Sequence, residues 1–405
     1  MEYINRDLKL ENIPTSQSFF LFGPRQSGKS TMINRYLKTI NQPYLIYDLL
    51  KSKTFLTYGN NPDMMRDEIH YKLNSLNKDD ILNVFIDEIP KLTILLDEVH
   101  SLIEEYKGKI RFILSGSSAR KLKRGGANLL AGRAIELFLY PFSMLELGHD
   151  SIPLPWYVKY GFIPAVVSNY KTTDIASDIL YTYVDTYLKE EVKAEAIVRN
   201  ISAFSKFLEL AASENTQRTN YKNISRETGV SERTISQYYQ ILEDTLIGTK
   251  LYPYKKSVRK QVIETPKFYF FDNGIVSALS NIISVDISKV PRLYGTLFES
   301  LAVNEVLKIG YNFRKHWKYY YYATKGGVEV DLIIEKNPFE IIAIEIKSVK
   351  KVIKQHFRGL TFFADSLPEN IKIKSFLVAD VERPFSSGNI DVLPLFEMLK
   401  KLTEM

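Results

Sequence analysis

Five apolar runs alternate with stretches of helical periodicity over the first 140 residues. They are Ser18–Phe22, Tyr44–Asp48, Asn83–Asp87, Ile110–Ser115 and Ala134–Tyr140. Runs of this kind predict strands buried on both faces. Their alternation with helices predicts an α/β fold: a parallel sheet with helices on both faces. The pattern turns helical from residue 147 to about 215, broken by the turn Gly161-Phe-Ile-Pro164. Within it Tyr181–Glu191 is amphipathic, with Tyr181, Val184 and Leu188 near one face. That stripe reads as core of a helical lid rather than as a platform for stacked bases.

Tyr221–Glu243 predicts helix, turn, helix. Gly229 supplies the turn, Ser231 the second cap, and Ile235, Tyr239 and Leu242 a buried face. Leu251–Lys260 (LYPYKKSVRK) then reads as a basic wing. Further on come an amphipathic helix, Gly295–Leu307, and three strand-like runs: Tyr319–Thr324, Val328–Ile334 and Ile341–Ser348. The turn Lys325-Gly-Gly327 marks a hairpin between the first two. The expected divisions are 1–146, 147–215, 216–285 and 286–405.

At 405 residues the chain has room for several cores, and its 45% hydrophobic and 25% charged content is ordinary for a globular protein. The net charge of +7 permits nucleic-acid contact without establishing it. With no cysteine there is no disulfide and no thiolate zinc site, which suits a reducing cytoplasm. The five histidines are too scattered for a short metal motif, and no apolar run has the length of a membrane span. A cytoplasmic protein without membrane attachment is the expectation.

Chemistry concentrates first at Gly23-Pro24-Arg25-Gln26-Ser27-Gly28-Lys29-Ser30 followed by Thr31. Strand, glycine loop and helix start together form a phosphate cradle, because backbone N–H groups and the helix dipole both favour an anion. The G-x-x-x-x-G-K-S pattern assigns Lys29 to the β- and γ-phosphates and Ser30 to Mg²⁺. About sixty residues on, an apolar strand closes on Asp87 and Glu88. Asp87 is expected to hold the magnesium and Glu88 to act as general base on water. Ser115, at the tip of the next strand, would orient that water; Ser117 or Ser118 would cap the stretch that follows. ATP and Mg²⁺ are the cofactors this set implies. Arg133, just before the fifth strand, stands where ring ATPases place an arginine that reaches a neighbouring subunit's nucleotide.

The P-loop, Phe85-Ile-Asp-Glu88, Leu114-Ser-Gly-Ser-Ser118, Ala131-Gly-Arg133 and Tyr140-Pro-Phe-Ser-Met-Leu-Glu146 together resemble one group. It is the prokaryotic AAA-type ATPases whose carboxy-terminal domain of unknown function is similar to PD-(D/E)xK nucleases. The resemblance implies an AAA-type core, a winged-helix module and a restriction-endonuclease-like α/β domain. Arg133 as a finger of that kind would require a homo-oligomer, a ring such as a hexamer.

Strand alternation supports the last of these. Glu329 and Asp331 share one strand face, and Glu345 and Lys347 share another. Asp331 and Glu345 are expected to bind Mg²⁺, Lys347 to position or activate water, and Glu299 to complete the metal shell. Lys350, Lys351, Lys354 and Arg358 would contact phosphates nearby. In the winged helix, Arg233, Gln237, Lys255, Lys256 and Arg259 are candidate DNA contacts, although such modules also serve only as packing. Two classes of function remain open. One is an oligomeric ATPase acting on DNA by remodelling, branch migration or processing. The other is a nucleotide-switched protein whose carboxy-terminal modules dock a protein partner without catalysis.

Overall fold

A computed structural model describes residues 3–118, 130, 132–149, 151–188, 200–255 and 265–405. The chain packs into two compact units, one of residues 8–141 with 244–246, the other of residues 1–7, 142–243 and 247–405. Lys256 and Arg259 lie outside the described residues.

The smaller unit is a five-stranded parallel sheet: β1 (Ser18–Phe22), β2 (Tyr44–Asp48), β3 (Leu82–Asp87), β4 (Ile110–Gly116) and β5 (Ala134–Phe138), in the order β2-β3-β4-β1-β5. The central strands β1, β3 and β4 are buried at every position, which explains their unbroken apolar sequence. The edge strands β2 and β5 are half exposed. Helices α1 (Lys29–Thr39), α2 (Ser52–Asn60), α3 (Asp63–Asn74) and α4 (Leu95–Glu105) complete the layers. Met32, Ile33 and Leu37 of α1 pack with Phe19, Leu21 and Ile113; Met65, Leu95 and Val99 of α3 and α4 pack with Phe20, Phe22 and Val84. Alternate residues of β1 thus enter two separate cores, one on each face.

The larger unit opens with short helices, α5 (Met144–Leu147), α6 (Leu154–Tyr160), α7 (Pro164–Ser168) and α8 (Thr173–Thr182), then α9 (Ile201–Ser213). Next come α10 (Tyr221–Thr228) and α11 (Glu232–Asp244). Between them Gly229 takes the left-handed conformation (φ 73°), and the Thr234 amide donates to the Ser231 hydroxyl at 3.2 Å. Strands β6 (Gly248–Pro253) and β7 (Lys267–Phe270) pair antiparallel. They do not stand apart as a free wing. β6 also pairs with β8 (Lys318–Ala323), so the hairpin extends an eight-stranded sheet. That sheet continues through β9 (Glu329–Asn337), β10 (Glu340–Ile346), β11 (Lys372–Val378), β13 (Ile390–Leu393) and β12 (Phe385–Ser387). The expected turn joins β8 to β9, with Gly327 at φ 77°. Helices α12 (Asn273–Leu279), α13 (Pro291–Asn312), α14 (Arg358–Asp365) and α15 (Leu395–Glu404) pack around it, α14 over β9 and β10. No described helix is long and apolar enough to cross a membrane.

The segment Phe142–Glu146 is held in this unit by buried charge. Glu146 accepts from Arg6 Nε at 3.0 Å and from the Asp7 amide at 2.8 Å, and closes a capping box with Ser143. Glu305 of α13 accepts from the Met144 amide at 2.6 Å and from Lys308 Nζ at 2.7 Å. Lys308 also donates to the Phe142 carbonyl at 2.7 Å. Burial raises the pKa of Glu305 and Lys308 pulls against it. Removing one member of a buried pair leaves a charge uncompensated, at a cost of about 3–5 kcal/mol. Lys308→Met is therefore expected to lower the urea midpoint of this unit severely, and adding Glu305→Gln to restore part of the loss. A Lys308→Met protein as stable as wild type would show that the pair carries no such cost.

Candidate functional site

Because β1, β3 and β4 run parallel, their carboxy-terminal ends share one edge of the sheet. Leu21 is level with Ser115, Phe22 with Gly116, and Ile86 with Leu114. The P-loop therefore leaves β1 beside the tips that carry Asp87, Glu88 and Ser115. The Gly23 amide donates to the Gly116 carbonyl at 3.3 Å. A Cβ on Gly23 would lie 2.0 Å from the Leu139 carbonyl oxygen, so only glycine lets the loop start there. Gln26 (φ 59°) and Gly28 (φ 94°) are both left-handed, which curls the loop back onto α1. Pro24 and Ser27 are buried, Arg25 and Ser30 half-buried, and Thr31 exposed. Lys29, 7% exposed, donates to the carbonyls of Gly23 (2.8 Å) and Pro24 (3.0 Å).

The acids are tied to one another. Ser115 is buried; its hydroxyl donates to Asp87 Oδ1 in a short bond and accepts from the Glu88 amide at 3.1 Å. Its one proton goes to Asp87, so the Ser115 hydroxyl ties the Asp87 carboxylate to the Glu88 backbone. Glu88 Oε1 accepts from the Ser117 hydroxyl at 2.8 Å and from its amide at 3.2 Å. Glu88 has φ 61°, an uncommon conformation for a residue with a side chain and one often stored at functional sites. Hard oxygens at Ser30 and Asp87 suit Mg²⁺, and the glycine cradle with buried Lys29 suits a polyphosphate. The residues present fit Mg²⁺ and a nucleotide.

Arg133 lies elsewhere. It precedes β5, and its carbonyl accepts from the Gln17 side chain at 3.0 Å, just before β1. Gln17 to Gly23 is six steps of strand, about 20 Å, so Arg133 sits at the opposite edge of the sheet from its own P-loop. Its guanidinium pairs with Glu104 of α4, whose pKa is lowered by hydrogen bonds from Arg133 and Lys107.

In the larger unit, the register that pairs Ile344 with Leu332 continues to set Asp331 opposite Glu345. Lys347 Nζ lies 2.6 Å from Glu345 and 3.7 Å from Asp331, and Asp331 Oδ2 accepts the Ile346 amide at 2.8 Å. These three come together as expected. Glu299 does not complete a metal shell with them. It accepts from Lys267 Nζ at 3.2 Å and from the Tyr269 hydroxyl at 2.8 Å, both on β7. Lys267 also reaches Glu329 at 2.5 Å. Among the described residues no three histidines, aspartates or glutamates form a metal-binding group. Lys267 of β7 and Lys347, just after β10, pair with these acids. Burial, then the charge of Asp331, raises Glu299 to about 7 and Glu345 to about 8. Lys267 is raised as well: burial opposes its charge, but Tyr269, Glu299, Asp331 and Glu329 outweigh it.

Lys267 and Tyr269 were missed in the sequence. Their signal is the alternation Lys267-Phe-Tyr-Phe270, which puts Lys267 and Tyr269 on one strand face. Of the candidate DNA contacts, Arg233 and Gln237 are exposed on α11 over buried Ile235, Tyr239 and Leu242, and Lys255 is half-buried.

Residues 15–148 match the AAA domain family. Residues 154–286 and 294–398 match two families described as domains of unknown function, DUF8612 and DUF4143. An uncharacterized protein of Haemophilus influenzae is 24% identical over 311 residues, covering 72% of this chain and 74% of that protein. Uncharacterized proteins of Mycobacterium bovis and Mycobacterium tuberculosis are 21% identical over 276 residues, covering 67% of this chain. The match spans only 61% of the mycobacterial proteins' own length. Among solved structures, Caenorhabditis elegans PCH-2 matches with a TM-score of 0.25 at 14% identity, covering 36% of this chain and 47% of that one. A chain from Drosophila ORC bound to AT-rich DNA and Cdc6 matches with a TM-score of 0.23 at 12% identity, covering 66% and 86%. Scores this low carry no argument. The family matches give an AAA domain followed by a DUF4143 domain.

The raised carboxyls make a pH prediction. A group whose folded pKa lies above its unfolded value stabilises fully below the unfolded pKa, and that contribution is lost as pH rises through the folded one. Glu299 and Glu345 should therefore cost stability between about pH 5 and pH 8. In urea titrations with EDTA, Glu345→Gln is expected to flatten the decline of the midpoint across this window. An unchanged slope would remove Glu345 as its source.

Proposed function

We propose that this protein hydrolyses ATP with Mg²⁺ as a homo-oligomer and directs that cycle to nucleic acid held on its larger unit. The observation that carries the first part is the shared sheet edge where the P-loop meets the Asp87–Ser115–Glu88 network. The match to the AAA domain family supports the same reading. When bound, Mg·ATP supplies the phosphoryl group that passes to water. Backbone amides of Gly23–Ser30 would hold the phosphates, Lys29 would neutralise them, and Ser30 and Asp87 would hold the metal. Glu88 would take a proton from water, and the Ser117 hydroxyl that donates to its carboxylate at 2.8 Å supports that role.

Arg133 lies about 20 Å of strand from its own P-loop. It serves a nucleotide only in a neighbouring copy, where its charge offsets what develops on the phosphoryl group. This is the reason to propose an oligomer.

Nucleic acid is supported by exposed Arg233 and Gln237 on a helix-turn-helix and by the basic stretch Lys350–Arg358 beside the acid–lysine cluster. The cluster itself favours binding without cleavage, since Lys267 and Lys347 already compensate its acids. The alternative, a nucleotide-switched platform for a protein partner, shares the ATP site and differs in what stimulates turnover.

Purified wild-type protein is expected to hydrolyse ATP in a Mg²⁺-dependent manner, faster with nucleic acid present. Lys29→Ala should lose nucleotide binding, whereas Glu88→Gln should bind ATP and lose turnover by roughly 100-fold or more. Undiminished turnover in Glu88→Gln would remove Glu88 as the base. A rate indifferent to every nucleic-acid form would favour the protein-partner reading.

A further inference from the structure

Helix α14 has two faces. Gly359, Leu360 and Phe363 are buried against the sheet, whereas Arg358, Thr361, Phe362 and Asp365 form an exposed stripe at helical spacing. Phe362 is 47% exposed and lies on the same helix face as Arg358. Beside it runs a groove of about 730 Å³ lined by Lys354, Phe357, Arg358, Thr361, Phe362 and Ser387. Lys350, Lys351, Lys354 and Arg358 are all exposed, and no acid occurs from Lys350 to Ala364; the groove's lining also holds the acid Asp365, at the last residue of α14. None of these four cations makes an ion pair among the described residues.

The buried face of the same helix meets the acid–lysine cluster. A Cβ on Gly359 would lie 3.5 Å from Glu345 Oε2 and 2.2 Å from the Glu329 carbonyl oxygen. Arg358 is therefore one residue from that contact. His356, between Lys354 and Arg358, has its pKa lowered by burial and by the charge of Lys347.

We propose that this groove binds single-stranded nucleic acid, with backbone phosphates on Lys354 and Arg358 and an unpaired base stacked on Phe362. The inference rests on the nucleic-acid reading above and names the form of the ligand. A duplex keeps its base faces stacked on one another, so only an unpaired base presents a π-face to an exposed ring. The cations supply the sequence-independent part of the affinity. A run of acidic side chains such as polyglutamate would satisfy the cations but offers no aromatic face to stack on Phe362.

The test is fluorescence anisotropy on the full-length protein, in EDTA and without nucleotide. The probes are a labelled oligothymidylate of about 20 nucleotides, longer than one binding module covers, and a duplex of the same length. The single strand is expected to bind at least tenfold more tightly than the duplex, by the cost of unstacking. Phe362→Ala, a surface change checked by circular dichroism, should weaken binding roughly fivefold or more and leave the salt dependence alone. The pair Lys354→Glu and Arg358→Glu should reduce the slope of log affinity against log salt. Equal affinity of Phe362→Ala and wild type, tighter binding of the duplex, or no binding at about 50 mM salt would overturn the proposal. Polyglutamate that displaces the strand equally well from wild type and Phe362→Ala would do so too. ATP turnover is measured on the same preparation. Turnover without binding sinks the groove and spares hydrolysis, and binding without turnover does the reverse.

Discussion

Parallel pairing of β1, β3 and β4 is the constraint on which the candidate nucleotide site depends. Side-by-side strands that start together also end together, so the residues just beyond Phe22, Ile86 and Leu114 must meet at one edge. The P-loop starts at that edge, where the Gly23 amide donates to the Gly116 carbonyl at the end of β4. Asp87 and Glu88 need that edge because their carboxylates are held by Ser115 and Ser117 of the adjoining strand and loop. The same parallelism sends Arg133, at the start of β5, to the other edge. One geometric rule thus brings the P-loop, Asp87, Glu88 and Ser115 to one edge and leaves Arg133 at the other.

The larger unit is governed by charge compensation. Glu299, Glu305, Asp331 and Glu345 are largely buried, and each is answered by a lysine or a backbone amide. An unanswered carboxylate there would be far more costly than a polar contact at the surface. The β6–β7 hairpin enters this scheme by bringing Lys267 and Tyr269 against Glu299, which ties the middle of the chain to the sheet that follows.

Much of the smaller unit was legible in the sequence. Central strands are buried on both faces and leave unbroken apolar runs, so Ser18–Phe22 agreed in full and Asn83–Asp87 and Ile110–Ser115 fell one residue short at one end. The P-loop was legible because its chemistry is local, contained in eight consecutive residues. The fifth strand was drawn too long, to Tyr140; pairing stops at Phe138, and beyond it the Leu139 carbonyl closes over Gly23. What escaped was non-local. Helical spacing puts Glu299 on a buried face but does not say that Lys267, thirty-two residues earlier, will meet it. For the same reason Arg6 and Glu146, 140 residues apart, gave no sign of their pairing.

The proposed composite site, Glu88 from one copy and Arg133 from its neighbour, is tested directly by mixing Arg133→Ala and Glu88→Gln proteins, each expected to lose turnover alone. In mixed assemblies some interfaces combine an intact Glu88 with an intact Arg133, so ATP turnover should reappear. No recovery on mixing, or full turnover by Arg133→Ala alone, would contradict a site shared between copies.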